Sequence, residues 1–418
     1  MISRNGKHNC GSMSCSIRFL LRKSFLLRDV LPFDTDHARL TYLGRNAVWQ
    51  AVRILGLSPG DEVLVPAYNC GSEIDPLLRC GLVVVPYRVS RSAQIDVKDL
   101  CSRVTKLTRA VYVTHYFGFL QRLEEVVRFC REQGLFLVED CALALFSRDG
   151  DGFVGRVGDV AVFSFRKTIP VPDGGALVVN NPSLKIVGSL KQPPLTPVLA
   201  ALIPSLGRSV QQLFPTKWDG IERSYRLVRS AIKRLHRQKR SYTGQHEFVK
   251  VGGVDRPSLS WQDHYDPKIS SWAMSGISRR IIANINPQEV VARRRANFQY
   301  LLEALCDVAQ VQPLFEQLPE GICPTVFPVL TERRPQLYAD LIRRRISAIE
   351  WWSGYHPGIC WDEFPGAAYL KAHIVALPVH HELDRDDMAY LAASVREVLE
   401  MSAADENRAR CLVSAVTC

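Results

Sequence analysis

Residues 161–180 read AVFSFRKTIPVPDGGALVVN, and the fold turns on how this stretch is read. It opens as a β-rich apolar run, AVFSF, and closes as another, ALVVN. Between them lie Lys167, two prolines and the turn Asp173-Gly174-Gly175. A lysine set between two buried strands loses solvation of its ammonium form, which lowers its pKa. An amine in that state attacks a carbonyl and forms a Schiff base. Taken alone, the stretch also describes a lysine on an exposed loop between hairpin strands, the commoner arrangement.

Upstream, residues 40–73 read LTYLGRNAVWQAVRILGLSPGDEVLVPAYNCGSE. A helical pattern opens at Gly44-Arg45-Asn46, with Ala47, Val48, Ala51, Val52, Ile54 and Leu55 on its apolar face. A turn through Leu57–Asp61 ends it, and Glu62–Pro66 is a short strand. The free N–H groups of such a helix start form an anion site, although every helix has such an end. The rhythm then repeats, with helices over 74–80, 97–104 and 123–133. Strands are expected at LVVVPYRV, AVYVTHYFG (110–118) and LFLVEDCA (135–142). Strands written as continuous Val/Leu runs and alternating with helices indicate an α/β protein whose sheet is mostly parallel and covered on both faces. Ligands collect at the carboxyl ends of strands in such sheets. There the chain places Tyr68 and Asn69, His115 and Tyr116, and Glu139 and Asp140. Asp140 stands out, because a carboxylate ending a buried strand is costly without a cationic partner.

After Asn180 the character changes. Residues 195–214 are apolar and helical, and Ser224–Arg240 forms a basic helix carrying seven Lys or Arg. A solvated helix packed over the core is the plain reading of this segment; a lid or a contact with an anionic membrane is the sharper one. Residues 266–300 form a long amphipathic helix or helix pair. Beyond them a compact α+β unit reads strand (321–330), helix (335–346), strand (SAIEWW), strand (372–383) and final helix. The expected domains are an extension over 1–35, a large domain over 36–295 with a basic helical insertion at 181–265, a small C-terminal domain over 296–402, and a poorly ordered tail over 403–418.

The 418 residues are 47% apolar and 23% charged, an ordinary globular composition with ample material for a core. A net charge of +11 favours anionic partners without choosing among them. The basic segment lacks regularly interleaved aromatics and matches no nucleic-acid module, so nucleic acid is not an expected partner. The twelve cysteines show no Cys-x-x-Cys pair and no zinc spacing, which points to free thiols, a cytoplasmic location and no metal. No apolar run is long enough to span a membrane. Residues 16–30, SIRFLLRKSFLLRDV, are too interrupted by charge for a signal peptide and read as a short amphipathic helix.

The ordered series Gly44-Arg45-Asn46-Ala47, PGDEVLVPAYNC, HYFG, VEDCA, GDVAVFSF, Lys167 and Asp173-Gly174-Gly175 resembles fold-type-I enzymes dependent on pyridoxal phosphate, and within them the DegT-like sugar aminotransferases. The resemblance covers residues 40–180 closely. It resumes over 266–400, where CPTVFPVL, WWSGYHP, EFPGAAYL and LPVHHEL look like that family's C-terminal domain. It implies a large domain built on a seven-stranded sheet, with Lys167 as the Schiff-base lysine seven residues before Gly174. Asp140 matches the aspartate that pairs with the pyridine nitrogen. Gly44, Arg45 and Asn46 match the phosphate-holding helix start, and Ser164 the serine supporting the same phosphate. Three departures mark a divergent branch. Ser164 and Lys167 lie closer together than in the family, Leu143 stands where Gln or His is usual, and Cys70 holds the often aromatic position on the ring face.

By resemblance, the chain moves an amino group from an amino acid such as glutamate to a keto sugar, nucleotide-linked in the family, for polysaccharide or amino-sugar biosynthesis. Lys167 serves as acid and base, and the chain works as a homodimer. Asn69, Tyr116 and His356 are the candidate substrate contacts, and residues 195–240 a candidate contact with an anionic membrane face. Two alternatives stand beside this reading: a pyridoxal phosphate enzyme of another reaction type on a sugar, which the retained lysine counts against, and a non-catalytic regulatory protein on the same fold.

Overall fold

Alternation of side chains along the strands builds the centre of the molecule. In the computed structural model, which describes residues 10, 13, 27–150, 152–213, 248–251, 254–257, 265–356 and 359–416, seven strands form one sheet. They are β1 (Ala38–Thr41), β2 (Glu62–Pro66), β3 (Val83–Tyr87), β4 (Thr108–Thr114), β5 (Phe136–Asp140), β6 (Val160–Ser164) and β7 (Gly175–Val179). Their order is β1-β7-β6-β5-β4-β2-β3. Strands β2 to β6 run parallel, while β7 is antiparallel to both β6 and β1. On β6, Val160 and Val162 face one layer and Ala161 and Phe163 the other, and all four are buried. This two-residue period makes the apolar run continuous, as a sheet covered on both sides requires. Residues 161–180 are therefore most of β6, a connection over 165–174 that begins with a turn of 3₁₀ helix, and β7. The short edge strand β1 was not legible, because its four residues include the charged Arg39. That guanidinium is held by Gln50 and by the carbonyls of Val187 and Gly188.

Helix α1 (Gly44–Ile54) packs Ala47, Val48, Ala51 and Val52 onto the sheet. Next come α2 (Ile74–Arg79), α3 (Val97–Ser102), capped by the Asp96 carboxylate, and α4 (Glu124–Gln133), which ends on Gly134 at φ 66°. Each lies within a few residues of its expected span. Helix α5 covers Leu195–Leu213. The basic helix expected at 224–240 and most of the amphipathic segment 16–30 lie outside the described residues; within 181–265 the description adds a hairpin of Phe248–Val251 with Val254–Pro257. The segment 266–300 is a helix pair, α6 (Gly276–Ile282) and α7 (Pro287–Ala304). Asn286 caps α7 and Pro287 opens it.

The C-terminal part has its own antiparallel sheet. Gln312–Pro313 (β8), Val326–Leu330 (β9), Ile349–Glu350 (β10) and Ile374–Pro378 (β11) pair in the order β8-β9-β11-β10. Helix α8 (Arg334–Arg343) precedes β10. Helix α9 (Pro365–His373), which the sequence reading lacked, stands between β10 and β11. The last helix, α10, runs from Arg385 to Val416, through the stretch 403–416 expected to be a loose tail. That stretch holds no glycine or proline to stop a helix.

Candidate active site

Two glycines set the site. Gly174 adopts φ +133°, a region side chains avoid, and turns the chain into β7. A Cβ on Gly175 would lie 2.5 Å from the Gly44 nitrogen, so only glycine lets the start of α1 approach β7. Asp173, fully buried, anchors the turn by accepting from the Ser275 N–H at 2.9 Å and the Ser275 hydroxyl at 2.6 Å. The Gly-Gly pair thus seats a helix N-terminus beside the carboxyl ends of β5 and β6.

There a cavity of about 290 Å³ opens, lined by Gly44, Arg45, Cys70, Glu73, Tyr112, Asp140, Leu143, Ser164, Arg166, Lys167 and Trp352, among others. Residues 165–167 form one turn of 3₁₀ helix, with Ser164 as its N-cap. Three residues per turn put Ser164 and Lys167 on the same side, so the shortened spacing still delivers both to the cavity. Lys167 is exposed rather than wedged between buried strands, which corrects the desolvation expected of it. Its Nζ lies 5.4 Å from the centre of the Trp351 ring. A second pocket, of about 260 Å³, adjoins the first across Arg166, Lys167 and Trp352.

Asp140 ends β5 at 6% exposure. Its Oδ2 accepts from the Tyr112 hydroxyl at 3.0 Å and its Oδ1 from the Ala142 N–H at 2.8 Å. Burial, and after it the neighbouring Glu73 charge, push its pKa up to about 7, while Lys167 pulls the other way. A carboxylate so placed favours a cation as its partner. Glu73 accepts from the Cys70 N–H at 3.1 Å and from the Cys70 thiol at 3.0 Å. Burial first, then Glu73, raise the Cys70 thiol to about 12, so it meets the cavity as a neutral, soft wall. Arg45 and Arg166 line the same cavity. Enclosure, and the like charge of Arg45 among its neighbours, hold Arg166 below the ordinary guanidinium range. Two guanidiniums beside a helix N-terminus suit an anion.

Of the sequence candidates, Gly44, Arg45, Cys70, Asp140, Ser164 and Lys167 converge on this cavity. Asn46 does not line it: its N–H bonds the Leu43 carbonyl at 3.0 Å and its amide donates to the Ile269 carbonyl. The three substrate candidates stand off it as well. Tyr116 is a core residue, 1% exposed, donating to the Tyr68 carbonyl at 2.7 Å. Asn69 spends its amide on the Pro66 and Ala67 carbonyls, shaping its own turn. The ring of His356 is held near 4 by burial and by the charge of Lys371, and its carbonyl accepts from the Trp361 indole. Glu73, Arg166 and Trp352 were missed. Glu73 carried a local signal, a carboxylate three residues after the start of a helical turn, bonding back to its N–H. Trp352 comes from the far end of the chain, and no spacing could place it.

His115, Glu139 and Cys141 bring donor atoms within 4.8 Å of one another. They act as a brace: His115 Nε2 bonds Glu139 at 3.1 Å, His115 Nδ1 accepts from the Gln121 N–H, and Glu139 also accepts from the N–H groups of Val157 and Gly158.

Pyridoxal phosphate, which the resemblance implies, fits this donor set. The cavity offers an accessible amine, a buried carboxylate of raised pKa and a glycine-made helix start flanked by two arginines and a serine. Leu143 and Cys70 offer apolar and soft contact instead of the usual polar and aromatic ones.

Comparison with known proteins agrees. Residues 33–189 match the DegT/DnrJ/EryC1/StrS aminotransferase family. GDP-perosamine synthase of Vibrio cholerae is 34% identical over 148 residues, 35% of this chain and 40% of that protein. The dTDP-4-dehydro-2,3,6-trideoxy-D-glucose 4-aminotransferase of Saccharopolyspora spinosa is 32% identical over 157 residues, 37% and 41% of the two chains. The chain thus aligns with about two-fifths of the length of these curated relatives. The crystal structure of the aminotransferase TlmJ from Streptoalloteichus hindustanus superposes with a TM-score of 0.62 at 19% identity, covering 90% of this chain and 89% of that one, which establishes a shared fold. Over residues 33–189, this chain carries a domain of the DegT/DnrJ/EryC1/StrS aminotransferase family.

Proposed function

We propose that the protein is a pyridoxal phosphate-dependent aminotransferase that moves an amino group from an amino acid, glutamate by preference, to a keto sugar linked to a nucleotide. One observation carries this: Lys167, Asp140 and the Gly44–Arg45 helix start, which come from three separate stretches of the sequence, meet in one cavity. The names of the relatives, which act on GDP- and dTDP-sugars, support the substrate class.

When bound, pyridoxal phosphate supplies a carbonyl carbon for amines and a ring that takes up electrons from a carbon losing its proton. Gly44 and Arg45, with Ser164 and Arg166, would hold its phosphate. Asp140 would face its ring nitrogen and, as a carboxylate, keep a proton there. Lys167 is the amine for the carbonyl carbon. Its Nζ, beside that carbon, would also be the group that holds and moves the proton of the donor's α-carbon. Trp352 closes the cavity from the C-terminal part and limits water at that carbon.

In the same reading the product serves polysaccharide or amino-sugar biosynthesis, and two copies form a homodimer, as the resemblance implies. The free cysteines support a cytoplasmic location. A weak contact with an anionic membrane face is proposed through residues 195–240. It is supported by Leu195 and Leu199, exposed on α5 while Val198 and Leu202 are buried, and by the basic residues that follow. Among the described residues no helix is long and apolar enough to cross a membrane. The domain limits stand as proposed, with residues 36–295 and 296–402 as the two working parts. A screen of keto-sugar nucleotides with glutamate tests the function: formation of an amino sugar with 2-oxoglutarate supports it, and no turnover of any donor–acceptor pair by cofactor-loaded protein refutes it.

A further inference from the structure

Behind the cavity lies a lysine that the proposed chemistry does not use. Lys371, on α9, is 1% exposed. Its Nζ donates to three carbonyls: Asn69 at 2.7 Å, Trp352 at 3.0 Å and Gly354 at 2.9 Å. Around it stand the rings of Trp361, Tyr355 and Tyr68, with centres 5.1, 5.8 and 5.9 Å from the nitrogen. Burying a charge in such a place is costly, and its pKa is depressed to about 7 by burial, with Cys70 and Glu73 opposing. A methionine would fill the same volume without buried charge, but it would leave the three carbonyls without this donor.

The three acceptors show what the charge does. Asn69 precedes Cys70, which lines the cavity, whereas Trp352 and Gly354 belong to the loop that brings Trp352 to the same lining. Trp352 sits at φ +54°, a conformation that costs a bulky residue on the order of 1–3 kcal/mol and persists only where its surroundings impose it. Its ring packs on Tyr68 and Tyr116, with centres 5.0 and 5.8 Å away. An ammonium has three N–H donors for three carbonyls, a neutral amine has two, and the planar fork of arginine does not match three converging acceptors.

We propose that Lys371 is a positioning residue: its three hydrogen bonds tie the Asn69–Cys70 wall to the Trp352 loop and hold Trp352 in its strained backbone conformation over the Lys167 cavity. The link to catalysis rests on the function proposed above, but the seating of Trp352 is independent of it. Replacing Lys371 frees Trp352 to leave the left-handed region and opens the cavity on that side.

The test is a double-mutant cycle of Lys371→Met and Trp352→Phe in the cofactor-free full-length protein, read by near-ultraviolet circular dichroism of the Tyr68–Tyr116–Trp352 cluster. Each single variant should lose the same part of the signal, the double variant should lose no more, and far-ultraviolet spectra should be unchanged. Affinity for pyridoxal phosphate should fall about tenfold in Lys371→Met, with no further loss when Trp352→Phe is added. Lys371→Arg should behave like Lys371→Met. Should the methionine variant not fold, Lys371→Gln, which keeps two N–H donors, carries the same cycle. Additive effects, or an unchanged aromatic signal, would overturn the proposal. Borohydride fixation of the cofactor on Lys167 in all variants separates this outcome from failure of the functional reading, in which no variant and not the parent protein would be labelled.

Discussion

Replacing Asp140 with asparagine should stabilise the cofactor-free protein at pH 8 while abolishing its chemistry. Asp140 sits at 6% exposure, and burial followed by the Glu73 charge lifts its pKa from 3.8 to about 7. The folded-state pKa thus lies above the unfolded one. Between these values the native state keeps a proton that the unfolded chain has lost, so stability falls as pH rises through the window of about 4 to 7. Above pH 7 the full penalty is present, on the order of 4 kcal/mol for a shift of this size. Asparagine keeps the shape without the charge. Its Oδ1 still accepts from the Ala142 N–H, and the Tyr112 hydroxyl can turn to accept from Nδ2. Urea denaturation of cofactor-free protein should therefore find Asp140→Asn more stable by about 2–4 kcal/mol at pH 8, with the difference closing near pH 4. With saturating pyridoxal phosphate the order should reverse, because only the carboxylate gains from a cationic ring nitrogen. A variant no more stable than the parent at pH 8, or a difference independent of pH, refutes the reasoning.

Gly175→Ala places a methyl 2.5 Å from the Gly44 nitrogen and must push back the start of α1. Cofactor affinity measured by fluorescence titration should drop, with a stability loss of about 1–3 kcal/mol in urea. Glu139→Gln turns an amide toward one of the three N–H donors that Glu139 now accepts, those of His115, Val157 and Gly158, and should cost about 2–3 kcal/mol in thermal unfolding. Burial would raise Glu139, but the His115 hydrogen bond and charge and the Gly158 and Val157 N–H groups outweigh it and hold its pKa down. The parent protein therefore has this contribution in full above the unfolded carboxylate pKa and loses it as pH falls through the folded one; the variant should lack that acid limb. Tyr116→Phe removes only the bond to the Tyr68 carbonyl. It should cost about 1 kcal/mol of stability and leave KM for the sugar unchanged in steady-state kinetics.

What was legible in the chain is what local physics writes there. Continuous Val and Leu runs announced the parallel strands, and Asp173-Gly174-Gly175 announced a turn; that Gly175 lets the start of α1 approach β7 is seen only in the fold. Lys167 and Asp140 followed, because a charged residue at the end of a buried strand needs a reason. Edge strand β1 escaped, since four residues with an arginine carry little periodic signal. Helix α9 escaped because EFPGAAYL reads as a turn until Pro365 is seen as its first helical residue. The partners of the site from distant segments, Trp352 and Lys371, could not be placed by spacing at all. Conversely, Asn69, Tyr116 and His356 have the chemistry of substrate ligands, yet none of them lines the cavity, and the Asn69 NH2 and the Tyr116 hydroxyl are given to backbone carbonyls. Residue type at a strand end indicates a site, but which way each side chain points is decided by the turn and the core around it.

The central claim is that Lys167 is the amine around which the site is built. Purified protein incubated with pyridoxal phosphate, reduced with borohydride, digested and analysed by mass spectrometry tests it directly. A single cofactor-modified peptide, carrying its label on Lys167, should appear in the parent protein and none in Lys167→Ala. Label on another lysine, or undiminished labelling of Lys167→Ala, would contradict it.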